Sequence, residues 1–533
     1  MMIGKNYKII KRYFCDIHSS GILVQRLLVK LSLYRKKVIF MSKTVCIIGA
    51  GMGGLMAGAL LVKEGYQVTV LEKATRVGGS AGSYVRNKRI FPAGATIAFG
   101  LEEHGLLDTL FTKLDLKVPF VLLDHPMDVV MEDRQISLYR DKMAWENELS
   151  RVFPERRQDV IAFWRTLQQI SEAVYGVTAT GVSLPIAHLY DLGKLPSHAV
   201  THPRSMLRLA RYATRTVEDL LRAYKLDTYE PLRQFIDAQL LDAAQTDCTE
   251  AALLPSSLAL TIYRRGSFYV EKGMSQLSEL LAERIVALGG EVITASPVTE
   301  LLYQEKKWLV TSRKKTKHYD VVVNNAGVSF GPRTSHSESK EFAWGAFRID
   351  ALLSDAFWHQ ELDGRPLPFA MQIVPDKERT VLHSDGHGPV YVTFQPAYDR
   401  RNERIEDEMM MTCSIHTDAE LWEELSKEAY EEKKEIIAQA MFAEIQKVLP
   451  VEEYVLYSEA GSPKTYQKYI GKSEVGGFPL TVRNAIWKPK SVRSSLPQLY
   501  IAGEQSFPGP GTLSSALSGS HVARAVMKTW PLA

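Results

Sequence analysis

Four cysteines in 533 residues, Cys15, Cys46, Cys248 and Cys413, form no CxxC pair, so neither a disulfide framework nor a zinc site organises the fold. No metal ligand set is assigned, and a reducing cytosol is the expected compartment. Cys46 falls inside an apolar run and reads as a small buried hydrophobe. The chain also lacks any uninterrupted apolar stretch of the roughly 18 residues that a membrane-spanning helix needs. Acid is scarce in one place only: residues 1–40 hold nine Lys and Arg against the single Asp16, whereas the rest carries 56 bases and 60 acids. The net charge of +4 is therefore an end effect. The body is mildly acidic, and a nucleic-acid partner is not expected.

What is present looks globular, with 45% hydrophobic and 24% charged residues. A chain of this length divides into two or three packed lobes. The basic leader, with Lys5, Lys8, Lys11, Arg12 and "GILVQRLLVKLSLYRKK" (Gly21 to Lys37), admits three readings. It is a basic amphipathic helix on an anionic membrane face, a targeting peptide, or sequence upstream of a true start at Met41. The last is preferred, because "MSKTVCIIGAG" puts the usual few residues before a first strand, and the leader is set aside from the fold.

Thr44 to Ile48 is a continuous apolar, β-branched run of the kind a buried parallel strand requires. The turn Gly49, Ala50, Gly51, Met52, Gly53, Gly54 then fits GxGxxG. Its first glycine serves the tight turn, its second the approach to a pyrophosphate, and its third close helix–strand packing. A helix is predicted from Leu55 to Glu64, with Ala57 and Leu60 facing the sheet and Gly65 as left-handed cap. The next strand, Val68 to Leu71, ends at Glu72, where an acid hydrogen-bonds the adenosine ribose and disfavours NADP. "EKATRVGGSAGS" follows from Glu72 and Lys73, and its Arg76, Gly78, Gly79 and Ser80 form the RxGG pattern that separates FAD from NAD.

At the far end "LPQLYIAGEQSFPGPGTLSSALSGSHVARAV" (Leu496 to Val526) reads as a short strand ending at Gly503-Glu504, a Pro/Gly loop, and a helix from about Leu513. On these motifs the chain resembles the phytoene desaturase and carotenoid isomerase family of FAD-dependent enzymes, within the amine-oxidase-like flavoproteins. The resemblance spans about residues 43 to 530 and is strongest at the two ends. It implies an α/β fold, a Rossmann-like FAD-binding domain interleaved with a mixed α+β substrate domain. It also implies FAD as cofactor, Glu504 on the ribityl chain, and Gly511, Thr512 and Leu513 at the flavin ring. By the same resemblance Val298, after the helix in "EKGMSQLSELLAERIVALGGEVITASPVTELL", pairs its backbone with the adenine. "HYDVVVNNAG", with Asp320 opening it, returns to the FAD domain.

The expected division is 41–125, 263–335 and 471–533 for the FAD-binding domain, 126–262 for a mostly helical substrate lobe, and 336–470 for strands and one long helix. In that helix Ile437, Met441, Ile445 and Val448 recur at core spacing until Pro450. Arg204, Arg208, Arg211 and Arg215 form an i, i+4, i+7, i+11 stripe, read either as a solvated helix face or as a peripheral membrane contact, after which Thr216 and Asp219 read as a capping box for the next helix. The apolar run Ala251 to Tyr263 lines a pocket or fills a core. Where the family often has Phe-Asp-x-Gly, this chain has Phe91-Pro92-Ala93-Gly94, which puts transfer of a desaturase mechanism in doubt. The C-terminal spacing looks closer to the isomerase and saturase-like branches. The expected activity is FAD-dependent oxidoreduction on a long apolar isoprenoid or carotenoid. The alternatives are a flavin amine oxidase, a retinol-saturase-like enzyme, or a non-catalytic FAD protein that binds lipid. No catalytic residue is named, His521 and Arg483 are read as structural, and no signal speaks to oligomeric state.

Overall fold

A computed structural model describes residues 43–327, 344–362, 367–376, 382 and 387–532. The basic leader and its three readings lie outside these residues. Five parallel strands drawn from the start, middle and end of the chain form one sheet in the order Leu499–Ile501, Val321–Asn324, Thr44–Ile48, Gln67–Leu71, Glu291–Ile293. The strands read as continuous apolar runs because both faces of the sheet are covered. Val45, Ile47, Val68, Val70, Val321 and Val323 face a helical layer. Cys46, Ile48, Leu71 and Val322 face an antiparallel meander of Val298–Gln304, Lys307–Ser312 and Lys315–Tyr319 through Trp308, Val310 and Tyr319.

The helical layer contains Met52–Lys63, Ser275–Ala287 and Thr512–Thr529. The first begins three residues earlier than predicted and ends before Gly65, which is left-handed at φ +97 as expected. Ala57 is buried, but Leu60 is only half-buried and Leu61 takes the core position. An amphipathic reading fails here because ten of the twelve residues are buried, helix Thr512–Thr529 closing over the side that faces away from the sheet.

The second sheet has seven strands in the order Val455–Gly461, Trp344–Ser354, Arg404–Asp418, His387–Tyr398, Ala370–Ile373, Met127–Val130, Gln135–Ser137. Its pairings are antiparallel except that of Ala370–Ile373 with Met127–Val130. Strand alternation sorts its side chains. Phe347, Ile349, Val392, Cys413 and Ile415 pack under helix Lys427–Gln446 through Ile437, Met441 and Ile445. Arg348, Asp350, Thr393, Thr412 and Ser414, one residue out of phase, look into a cavity. The long helix stops at Gln446, so Val448 lies beyond it and is half-buried.

The helices from Lys142 to Thr261 pack around Trp145, Phe153, Phe163, Trp164 and Phe235. The arginine stripe is corrected here. Helix Pro203–Tyr212 ends before Arg215, because Thr216 caps the next helix through a reciprocal box with Asp219, at 3.2 and 3.1 Å. Arg208 turns inward and donates to the Gln169 side chain at 3.0 Å, whereas Arg204, Arg211 and Arg215 are exposed.

Candidate FAD and substrate site

The first strand delivers the chain into a turn that opens with Gly49 at φ +94, a conformation that side chains other than hydrogen rarely adopt. Glu72, at the end of the neighbouring strand, is anchored through both carboxylate oxygens. Oε2 accepts from the Ala50 N–H at 2.6 Å and Oε1 from the Ala74 N–H at 2.7 Å. The second glycine pair docks directly on this turn: Gly78 pairs with Gly51 and donates its N–H to the Ala50 carbonyl at 2.8 Å. A Cβ on Gly51 would come within 2.7 Å of the Asn325 amide nitrogen, and one on Gly78 within 2.4 Å of the Gly82 Cα, so neither turn admits a side chain there. Behind them, helix Met52–Lys63 presents an N-terminus whose first N–H groups lack intrahelical acceptors.

Gly49, Gly51, Met52, Gly53, Glu72, Lys73, Arg76, Gly78, Gly79, Ser80 and Val298 line one end of a single large cavity, together with Gly503, Glu504, Gly511, Thr512 and Leu513. Two of the sequence-predicted residues, Ala50 and Gly54, are not on its wall. Ala50 acts through its N–H to Glu72. Gly54 is a packing glycine, where a Cβ would come within 2.5 Å of the Gly49 carbonyl oxygen and 3.0 Å of Ile47. Arg76 also pairs with Glu279 at 3.2 Å.

Four contributors escaped the sequence reading. Asn325 sits under the glycine turn, its Nδ2 donating to the Gly49 carbonyl at 3.3 Å, and the "NNAG" after the returning strand is the signal that marks it. Ser518 accepts the Gly503 N–H at 2.6 Å. Gly519 lies against the Gly53 backbone. Lys472 forms an ion pair with Glu504, a partner 32 residues away that no local pattern announces.

The stretch Phe91-Pro92-Ala93-Gly94 is held by its carbonyls. Tyr466 donates to Ala93 at 3.2 Å and Arg348 to Gly94 at 3.4 Å. Arg348 in turn grips Asp350 through two bonds of 2.6 and 2.9 Å, and Tyr84 donates to the same carboxylate at 2.6 Å. Burial opposes the Arg348 charge, but the Asp350 carboxylate outweighs it and keeps the guanidinium above its ordinary value. His521 is fully buried against Phe507, and burial, then Arg524, lowers it to about 3. Its imidazole is thus held in the neutral form. Arg483 is exposed and off the cavity wall.

The cavity measures about 1950 Å³, roughly twice the upper end of ordinary small-molecule sites, about 1,000 Å³. Past the glycine turns it continues between the helical lobe and the second sheet. Val174, Val177, Leu184, Met206, Leu254 and Leu258 line its helical side. The apolar run Ala251 to Tyr263 thus supplies pocket through Leu254, Leu258 and Ile262, and core through Leu253 and Leu260.

The residues fit a dinucleotide: two glycine turns that bar side chains, a helix N-terminus, and an anchored acid at the end of the second strand. Fold and site together define a two-lobed FAD-binding flavoprotein. The chain belongs to the FAD dependent oxidoreductase family, whose family model matches residues 44–524. It is similar to prolycopene isomerase 1, chloroplastic, of an Oncidium hybrid cultivar, 23% identical over 505 residues, covering 90% of this chain and 83% of that one. All-trans-retinol 13,14-reductase of Danio rerio is 24% identical over 268 residues, 49% of this chain and 42% of that one. Among solved structures, a putrescine oxidase triple mutant aligns with a TM-score of 0.60 at 15% identity, over 92% of this chain and 99% of that one. Cyclohexylamine oxidase from Brevibacterium oxydans IH-35A aligns at 0.57 and 15%, with the same coverage. At such identities these two show the fold alone.

The chain is therefore an FAD-dependent oxidoreductase with the expected α/β architecture. No helix among the described residues is long and apolar enough to cross a membrane.

Proposed function

We propose that this flavoenzyme acts on a long apolar isoprenoid taken up from a membrane surface, as a carotenoid isomerase. The observation that carries the reading is the continuity of the cavity from the glycine turns to an apolar limb that reaches the surface. Ile186 lines that limb and is 50% exposed. In the chain that follows it Leu189, Val200 and Leu207 are 87%, 82% and 74% exposed, and Arg204 and Arg211 lie on the same helix as Leu207. Such apolar exposure is costly in water and natural at the headgroup boundary of an anionic membrane on the cytosolic side. The prolycopene isomerases it resembles and the C-terminal spacing support isomerisation over desaturation.

In this reading segments 41–125, 263–335 and 471–533 bind FAD, and 126–262 and 336–470 hold the substrate. The two glycine turns cradle the pyrophosphate, Glu72 takes the ribose, Val298 the adenine edge and Glu504 the ribityl chain, with Lys472 holding Glu504 in place. Thr512 and Leu513 present a helix N-terminus that favours negative charge beside them. When bound, FAD supplies hydride exchange or, once reduced, electron density to a polyene without net redox change. The helical wall excludes water and keeps an extended chain aligned with the Glu504 end.

The test is to mix the anaerobic protein, flavin oxidised or reduced, with a poly-cis carotenoid in anionic liposomes and follow polyene absorbance and isomer composition. Isomerisation confined to the reduced sample is expected. New conjugation with flavin bleaching in the oxidised sample would replace isomerase by desaturase, and no change to either chromophore would overturn the isoprenoid reading.

A further inference from the structure

A cavity made only for hydrocarbon needs no polar wall, and much of the helical side has none. Where helix Glu230–Ala244 meets the second sheet, however, the wall carries Gln239 and Asp242 from the helix and Gln372, Tyr391 and His416 from the sheet. Gln239 and Asp242 stand three residues apart on helix Glu230–Ala244, hence on one face. The Gln239 amide bonds to Gln372 across the cavity floor, and the Tyr391 hydroxyl donates to the Ala238 carbonyl at 3.1 Å.

Asp242 differs from these. Its carboxyl has no hydrogen-bond or ion-pair partner among the described residues, and its accessible surface is turned into the cavity. Burial alone raises it to about 6, the mark of an acid far from bulk water. Asp242 is open by surface area yet deep in the molecule, so what it is open to is the cavity, and an unpaired carboxyl there is free to meet a polar group of the ligand. Its position strengthens the point. Gln245 donates to the Asp242 carbonyl at 2.9 Å and lies over Gly476, where only a hydrogen fits. The adjacent Gly477 abuts Glu504, a Cβ there coming within 2.7 Å of the Glu504 carbonyl oxygen. Asp242 thus stands where the apolar limb meets the flavin loop.

We propose that the ligand is not a pure hydrocarbon but an isoprenoid bearing a hydroxyl, and that Asp242, with Gln239 beside it, receives that hydroxyl. The inference rests on the isoprenoid reading above and narrows it. Raised to about 6, the carboxyl is mostly ionised at neutral pH and accepts the hydroxyl's O–H, and once protonated it both donates and accepts.

The experiment compares geranylgeraniol with the matched hydrocarbon that lacks only the hydroxyl, titrated into the FAD-loaded protein and read by the flavin absorbance shift. The alcohol is expected to bind about tenfold tighter, the effect of one well-made buried hydrogen bond. In Asp242→Leu the ratio is expected to fall below about twofold through loss of the alcohol alone. Asp242→Asn, nearly the same shape, keeps part of the preference and serves if the leucine variant fails to fold. Equal affinities in the unsubstituted protein, or a ratio unchanged in both variants, would overturn the inference and leave the isoprenoid reading standing. If neither ligand shifts the flavin spectrum, the isoprenoid reading itself falls, and this inference with it.

Discussion

Gly519→Ala tests whether the two ends of the chain are locked together at the cofactor. Gly519 lies midway along helix Thr512–Thr529, where a methyl group would overlap the Gly53 carbonyl oxygen and come within 3.0 Å of the Gly53 carbonyl carbon and 3.1 Å of the Ala57 nitrogen. All three are backbone atoms of the glycine-turn helix, so no rotamer change relieves the overlap and the helices must move apart. Overpacking of this kind costs about 1–3 kcal/mol, and rigid backbone neighbours put it at the upper end. Alanine in a helix interior returns up to about 1 kcal/mol, leaving a net loss of about 2 kcal/mol, or roughly thirtyfold in the folding equilibrium. The same movement displaces Gly503, which lies 2.6 Å from a Cβ built on Gly53, and with it Glu504. Gly58→Ala is the matched control, because its new methyl meets side-chain ends and no backbone, Ile47 at 2.9, Ile285 at 3.0 and Val68 at 3.5 Å. The assay is the flavin-to-protein ratio after purification together with urea unfolding. Gly519→Ala should lose flavin and unfold earlier, with Gly58→Ala close to the unsubstituted protein. Full flavin occupancy and an unchanged midpoint in Gly519→Ala would refute the reasoning.

Asp350→Asn leaves Arg348 buried without its counter-charge, and a loss of about 3–5 kcal/mol in denaturant unfolding is expected. Asp242 gives a pH signature. Its carboxyl is raised from 3.8 to about 6 by burial, so between those values the native state holds a proton that the unfolded chain releases, and stability falls as pH rises. Asp242→Asn should therefore match the unsubstituted protein near pH 4 and melt higher above pH 6; an equal offset at both would count against a buried carboxyl. Lys472→Met removes the cation paired with Glu504 and should weaken FAD retention in dialysis against buffer, while leaving secondary structure by circular dichroism unchanged. Replacing Arg204, Arg211 and Arg215 by Gln should lower co-sedimentation with anionic but not neutral liposomes. Unaltered binding would remove the membrane face.

Both ends of the FAD site were legible because each is a local pattern. Glycines at fixed spacing, an acid at the end of a strand and a Pro/Gly loop before a helix owe their meaning to backbone geometry within about thirty residues. The core spacing of Ile437, Met441 and Ile445 was legible for the same reason. Leu60 was misassigned because amphipathic logic assumes one wet face, and a second helix from the opposite end of the chain covers it. The capping box of Thr216 and Asp219 was legible as a helix start, but the periodicity carried the basic stripe one arginine too far, because the preceding helix already ends at Tyr212.

By itself, then, the order of residues determined the parallel sheet, the glycine turns and the dinucleotide they suit, since each depends on neighbours a few bonds away. Tertiary structure alone decided the partner of Glu504, the bond from Tyr84 to Asp350, the backbone contact of Gly519 with Gly53, and the place of Asp242 in the cavity. Those are properties of packing between segments tens to hundreds of residues apart, where alternation along the second sheet sends Ile349 to the core and Asp350, its neighbour in the chain, to the cavity.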